Sequence, residues 1–237
     1  MSWRINTSQR RVQAEIMDDP DLDADVHRQA LLGLERINSI SRSAQSLWPA
    51  IRSHARAQPN RPLRVLDVAC GGGDVTRKLW RMAQQAQVPL ILHGCDVSPT
   101  ALTHAREQAG AINARIVYLA CDVLRDPLPD GYDVMLCTLF LHHLHDAAAT
   151  TVLSKMALSS ELVLVSDLVR SPLTLALAWL GTRLVTNSKV VHIDGPRSVQ
   201  GAYTPSELRE LARQADMHGA VVRRQFPTRM LLTWRRN

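Results

Sequence analysis

Short apolar runs punctuate the chain from residue 63 onward, at Leu63–Val68, Leu90–His93, Arg115–Ala120, Tyr132–Cys137 and Leu162–Ser166. Segments of helical character separate them, such as Thr76–Gln87 and Pro99–Ala109. Strands alternating with helices predict a parallel sheet covered on both faces and joined by right-handed crossovers. Ahead of this pattern, residues 1–60 read as helical. Asp23 or Asp25 caps a helix with Val26, Ala30, Leu31, Leu34 and Ile37 at helical spacing. A second helix surrounds Leu47–Arg56, started or kinked by Pro49.

The C-terminal third begins with a long connection, 167–203, containing one apolar helical segment, Pro172–Leu184. Leu173, Leu175, Leu177, Trp179, Leu180 and Leu184 cover most of that helix's circumference. This suits burial, the lining of an apolar pocket, or peripheral contact with a membrane surface. Thr204-Pro205-Ser206-Glu207 then combines an N-cap, a first-turn proline and a capping-box acid. Gly219 is expected to end that helix. Strands at Ala220–Gln225 and Arg229–Trp234, split by Phe226–Thr228, are expected to pair antiparallel.

The chain has 237 residues, 46% hydrophobic and 21% charged, as in ordinary globular proteins. The first 20 residues are polar and read as no secretory signal. No uncharged apolar run reaches the roughly 18 residues a spanning helix needs. The net charge of +6 comes mostly from dispersed arginines without interleaved aromatics, so it does not point to nucleic acid. Cys70, Cys95, Cys121 and Cys137 form no C-x-x-C pair. They are expected as small buried hydrophobes at the strand ends rather than a metal site, in a reducing cytoplasm.

The Gly-rich turn Cys70-Gly71-Gly72-Gly73 follows the first strand and precedes a helix, where open α/β sheets bind nucleotides. The phosphate-loop pattern G-x-x-x-x-G-K-[ST] is absent, and Thr76 stands where a dinucleotide fold wants its third glycine. Asp67, just before the turn, would repel a pyrophosphate and suits a cationic ligand without phosphate. Asp96 ends the second strand, where an acid can accept from both ribose hydroxyls. Asp122 ends the third and can accept from an adenine amino group, with Val97 and Val123 against the ring.

Asp67, Ala69, Gly71 and Gly73 resemble the first motif of the class I S-adenosylmethionine-dependent methyltransferases, with Ala69 replacing the commoner glycine. The resemblance covers about residues 62–166 and the strand pair at 220–234. It implies a Rossmann-like, mostly parallel seven-stranded α/β sheet with helices on both faces, an antiparallel C-terminal strand and an N-terminal helical cap. The methyltransferase domain would be 61–237, with a substrate-cap insert at 167–203. Asp67, Ala69, Gly71 and Gly73 would hold the methionine part of S-adenosylmethionine, Asp96 the ribose and Asp122 the adenine. Thr138 and the fourth strand would lie near the sulfonium, and S-adenosylhomocysteine would be the product.

The acceptor is read from the residues just after the fourth strand. The N-P-P-[YF] of amine-methylating enzymes and a Pro-Cys nucleophile pair are both missing. Phe140-Leu141-His142-His143-Leu144 instead resembles small-molecule methyltransferases acting on quinones, phenols and polyketides. His143, and after it His142, are candidate bases, since histidine titrates near neutral pH. Either could also merely pack beside the cofactor or cap the next helix. Further candidates are Arg36, Asn38 and Arg42 in the N-terminal helices, and Asp167, Arg170, His192, Asp194 and Tyr203 in the insert. Val191–Gly195 is expected as a turn able to close over the site. Met17–Asp23, Arg36–Asn38 and Met230–Trp234 resemble a bacterial group similar to the methyltransferases that accompany type III polyketide synthases in secondary metabolism. That implies O-methylation of a phenolic or polyketide-derived hydroxyl on an aromatic or lipid-like molecule. C-methylation of a lipid quinone precursor, or S-adenosylmethionine binding without catalysis, are the alternatives.

Overall fold

The computed structural model describes residues 7–19 and 21–236. Pro20 and residues 1–6 of the polar N-terminal run lie outside the described residues. In chain order the elements are α1 (Ala24–Ile40), α2 (Ser43–Ala57), β1 (Leu63–Val68), α3 (Asp74–Ala86), β2 (Leu90–Asp96) and α4 (Pro99–Gly110). They continue with β3 (Ile116–Ala120), β4 (Val134–Thr138), α5 (Asp146–Ser159), β5 (Leu162–Leu168), α6 (Pro172–Val185), α7 (Lys189–Gly201), α8 (Pro205–Gln214), β6 (Val221–Gln225) and β7 (Arg229–Arg235). Seven strands form one sheet in the order β3-β2-β1-β4-β5-β7-β6. The first five are parallel, and β7 runs antiparallel to both neighbours.

Period-two alternation builds the two cores. Leu66, Val68, Met135, Cys137, Val163 and Val165 bury one face of the sheet, packed with residues of α5 and α8 such as Leu153, Met156 and Leu208. Val65, Val134, Leu136, Leu162 and Leu164 bury the other, with Leu47 and Ile51 of α2 and Leu79 of α3. The N-terminal helices therefore do different jobs: α2 completes the layer on the sheet, whereas Leu31, Leu34, Ile37 and Asn38 of α1 face the carboxyl edge.

The helix starts follow local chemistry. The Asp23 side chain accepts from the amides of Asp25 and Val26, and the Thr204/Glu207 capping box forms with both bonds present. Two expectations need correction. Helix α8 stops at Gln214, not near Gly219, because the chain turns through Asp216 in the left-handed region. Val191–Gly195 is not a turn but the middle of α7. Ser188 caps that helix, and Pro196 is accommodated inside it because tertiary bonds hold the segment. Asp194 accepts from the backbone amides of Ile16 and Met17 at 3.0 and 3.1 Å, Arg11 N donates to Gln200 O at 3.0 Å, and Arg10 Nε donates to Gly201 O at 2.7 Å. The N-terminal segment is thereby strapped along α7.

Only one face of α6 is buried, through Thr174, Leu175 and Thr182. Leu173, Leu177, Trp179, Leu180 and Leu184 are exposed. Among the described residues no helix is long and apolar enough to cross a membrane.

Gly73 marks where the first turn meets β3. Its φ is +69°, and a Cβ there would come within 2.5 Å of the Tyr118 hydroxyl. Gly73→Ala is expected to cost about 1–3 kcal/mol, from left-handed strain and displacement of Tyr118. Urea denaturation measures this, and an unchanged midpoint would show that Tyr118 is not fixed over the turn.

Candidate functional site

A cavity of about 600 Å3 opens at the carboxyl edge of the sheet, roofed by α1, α6 and α7. The β1–α3 turn forms its floor. Ala69, Gly71 and Gly73 all have positive φ, at 55°, 51° and 69°, so small residues at alternate positions meet alternate left-handed conformations. A Cβ on Gly71 would meet nothing within 4 Å, so this backbone faces open space. Asp96 fixes the turn by accepting from Gly71 N at 2.8 Å, and its other oxygen accepts from Ser98 N at 2.9 Å. Burial raises its pKa against these stabilising bonds.

Ala69, Gly71, Asp96, Val97, Asp122, Val123 and Thr138 all lie on the cavity wall. Val97 is 66% exposed, a large apolar side chain open to a flat ligand. Asp122 is tied by Leu124 N at 3.0 Å. The Thr138 hydroxyl is buried without a partner. Leu139 beside it has a φ of 55°, an unusual conformation for a leucine, at the tip of β4.

Two expected cofactor residues sit elsewhere. Gly73 lies off the wall, and its need for glycine comes from Tyr118. Asp67 lies beneath the turn, because alternation along β1 turns its side chain to the α3 face. One oxygen accepts from the Thr76 hydroxyl at 2.6 Å, and the other is buried and unpartnered. Burial pushes its pKa up to about 8.

A residue that no sequence motif singles out also faces the cavity. Arg229, 4% exposed at the start of β7, donates through Nη2 to Asn38 Oδ1 at 2.8 Å and Ser41 Oγ at 2.9 Å. Its Nε and Nη1 have no partner. Burial lowers its pKa to about 10, which still leaves a cation aimed at the site. Sequence reasoning missed it because its partners are 188 and 191 positions away.

The far end of the cavity holds two histidines. His142 is buried, with Nδ1 2.7 Å from Asp167 Oδ1 and Nε2 3.6 Å from Glu15 Oε1. Burial alone would keep it neutral, but Asp167 and Glu15 outweigh it and push its pKa up to about 10. The pairing likewise holds Asp167 and Glu15 below the usual carboxylate range. An imidazolium takes no proton, so the base role does not fit His142 in this state. His143 is 20% exposed, with Nδ1 2.8 Å from Asp18 Oδ2. Both histidines, Glu15 and Asp18 line the cavity. Glu15 and Asp18 come from the N-terminal strap, in a stretch without periodicity, which hid them from sequence reasoning.

Other candidates lie away from the cavity. Arg42 is exposed in the left-handed link between α1 and α2, and Arg36 is exposed on α1. The His192 ring donates to Thr186 O at 2.7 Å, closing the end of α6. Tyr203 donates to Leu144 O at 3.0 Å beneath the Arg10 guanidinium, 3.7 Å away. Arg170 is paired with Glu207 at 2.6 Å. The substrate roles expected of Arg42, His192 and Tyr203 therefore lack access to the site.

Residues 65–159 match a family described as a methyltransferase domain. That stretch holds the glycine turn, the first four strands and α5. A ubiquinone biosynthesis O-methyltransferase of Bordetella parapertussis is 31% identical over 157 residues, covering 65% of this chain and 61% of that protein. A demethylmenaquinone methyltransferase of Deinococcus radiodurans is 37% identical over 93 residues, covering 39% of this chain and 37% of that one. The chain thus spans about three fifths of the length of the first curated relatives it matches. Among solved structures, a plantazolicin methyltransferase in complex with a triazolic desmethylPZN analogue and S-adenosylhomocysteine superposes with a TM-score of 0.69 at 15% identity, covering 94% of this chain and 95% of that one. The chain thus has the expected seven-stranded fold.

Asp67 gives the domain a distinctive pH response. A carboxyl with a raised folded-state pKa binds its proton more tightly when folded. Its contribution is therefore fully present at acid pH and is lost between about pH 4 and about pH 8. Asp67→Asn is expected to flatten this part of the stability profile, measured by denaturant unfolding of the ligand-free protein across that range. An unaltered profile would place the buried charge elsewhere.

Proposed function

We propose that the protein is an S-adenosylmethionine-dependent methyltransferase acting on a hydroxyl of an apolar, aromatic or lipid-like small molecule. The carrying observation is one cavity whose floor offers the nucleoside anchors and whose far wall offers Glu15, Asp18 and His143 amid apolar side chains. S-adenosylmethionine, when bound, supplies an electrophilic methyl group on a sulfonium and leaves as S-adenosylhomocysteine.

The unpaired polar atoms fit that cofactor. Arg229 Nε and Nη1 suit the carboxylate of its methionine end. Gly71 leaves the backbone open for close approach. Asp96 holds the ribose hydroxyls. Val97 and Val123 hold the adenine ring, with Asp122 at its amino group. Thr138 lies at the sulfonium end.

We assign His143 to the acceptor hydroxyl. Asp18 engages its Nδ1, which orients the ring and leaves Nε2 toward the cavity. Leu34, Ile37, Phe140 and Leu168 make the surrounding wall apolar, so an acceptor is held by desolvation and aligned by the polar cluster. Helix α6 lines the cavity with Ala178 and Thr182 and exposes its leucines outside, which supports a lipid-like acceptor reached from an apolar surface. The family relatives named for quinone methylation support the same class of molecule. The four buried, unpaired cysteines support a reducing, cytoplasmic setting.

The test is production of S-adenosylhomocysteine with a panel of phenols, quinone precursors and polyketides. Cofactor binding without turnover on any of them would sink the enzymatic reading. His143→Ala should lower turnover while leaving S-adenosylhomocysteine affinity intact, and unchanged turnover would remove it from the mechanism. Arg229→Met, read by calorimetric titration of S-adenosylhomocysteine, should weaken binding about tenfold or more, as expected for losing a charge-assisted contact. Undiminished affinity would place the carboxylate elsewhere.

A further inference from the structure

Glu15, His142 and His143 bring one ligand atom each to within 4.8 Å of one another. The two imidazoles converge through Nε2 on opposite oxygens of a single carboxylate, at 3.6 Å to Oε1 and 3.9 Å to Oε2. These distances are too long for hydrogen bonds. They are close to the spacing of ligands around one metal ion: at metal–ligand distances of about 2.1 Å, two ligands at a tetrahedral angle stand about 3.4 Å apart.

The outer edge of each ring is also prepared. His142 Nδ1 lies 2.7 Å from Asp167 and His143 Nδ1 lies 2.8 Å from Asp18. Once an ion displaces the Nε2 proton, a carboxylate on Nδ1 holds the tautomer that points the Nε2 lone pair inward, the arrangement typical of metal-binding histidines. Glu15 is itself held by Ser198 Oγ at 2.6 Å. Charge agrees with geometry. Three carboxylates surround two imidazoles, leaving an excess of negative charge that a dication offsets. Two imidazoles and a carboxylate, without thiolate, suit zinc or a neighbouring first-row ion rather than calcium or magnesium.

We propose that Glu15, His142 and His143 bind one divalent transition-metal ion of the zinc type, with its open coordination positions facing the acceptor. This rests on the methyltransferase reading and deepens it: His143 acts on the acceptor hydroxyl through the ion its Nε2 holds. The ion withdraws electrons from the acceptor oxygen, so its O–H bond breaks and the proton leaves to solvent. An oxygen lone pair then forms the bond to the methyl carbon as the carbon–sulfur bond breaks, its electron pair staying on sulfur. One hydroxyl and one sulfonium give one methyl ether, one thioether and one proton. Asp18 and Asp167 act as positioning residues for the two rings.

The experiment uses the full chain stripped with a chelator and titrated with Co2+, followed by visible absorption and by metal analysis after desalting. One equivalent of Co2+ should bind with ligand-field bands that change when a catechol is added, and Zn2+ should displace it. Glu15→Gln and His143→Asn should each weaken Co2+ binding at least tenfold, and Asp18→Asn should weaken it by about tenfold to a hundredfold, all with unaltered circular dichroism. Failure of the wild type to retain an ion, or retention undiminished in the Glu15→Gln/His143→Asn double variant, would overturn the site. S-adenosylhomocysteine titration of the same metal-free protein separates the two readings. Binding there without any Co2+ uptake removes the metal alone, whereas no binding of S-adenosylhomocysteine counts against the methyltransferase reading beneath it.

Discussion

The amide of Gly71 donates to the carboxylate of Asp96, joining two strand ends that lie 25 residues apart in sequence. That bond is possible because β1 and β2 are parallel and in register, Asp67 opposite Gly94 and Val68 opposite Cys95. The same register continues through β3 and β4, so all four strands stop at one edge. Each strand delivers one polar or small group there, and the cavity is the space above them. A slip of one residue in any strand would turn an anchoring acid into the core and a core residue into the cavity. The sheet thus specifies the proposed cofactor half of the site as a by-product of packing its hydrophobic faces.

The acceptor half has a different origin. Its groups come from the strap (Glu15, Asp18), the turn after β4 (His142, His143), the end of β5 (Asp167) and α6 and α7. Apart from Asp167, no strand register fixes them. They are fixed by mutual polar contacts: Asp194 on the strap amides, Asp167 on His142, Asp18 on His143. One half of the cavity is therefore set by apolar packing and the other by hydrogen bonds between distant segments. Substitutions in the strap or in α7 can reshape the acceptor wall while leaving the nucleoside floor intact.

This division explains which features were legible in the sequence. The run Leu63–Val68 coincides with β1, Pro172 begins α6, and the Thr204/Glu207 capping box forms, because each signal is local. Asp96 and Asp122 were legible for the same reason: acids at strand ends have positions that periodicity predicts. Asp67 was legible as a residue but not in its orientation, which required the alternation of β1 to be traced to the α3 face. Glu15 and Arg229 were invisible because their meaning comes from partners 127 or more positions away. The segment Val191–Gly195 misled for the opposite reason. Its Asp, Gly and following Pro suggest a break, but Ser188 at one end and the strap along its side hold it helical.

Strand β7 is the last in the chain, yet it is inserted between β5 and β6. Arg229 opens that strand, so a nascent chain emerging from the ribosome completes its glycine turn and acid anchors well before its buried cation exists. In the proposed site, the half-made molecule has a nucleoside floor but nothing to grip a carboxylate. On that proposal, tight cofactor capture waits until the sheet is whole, and a ligand present in the cell would favour the finished fold over its precursors.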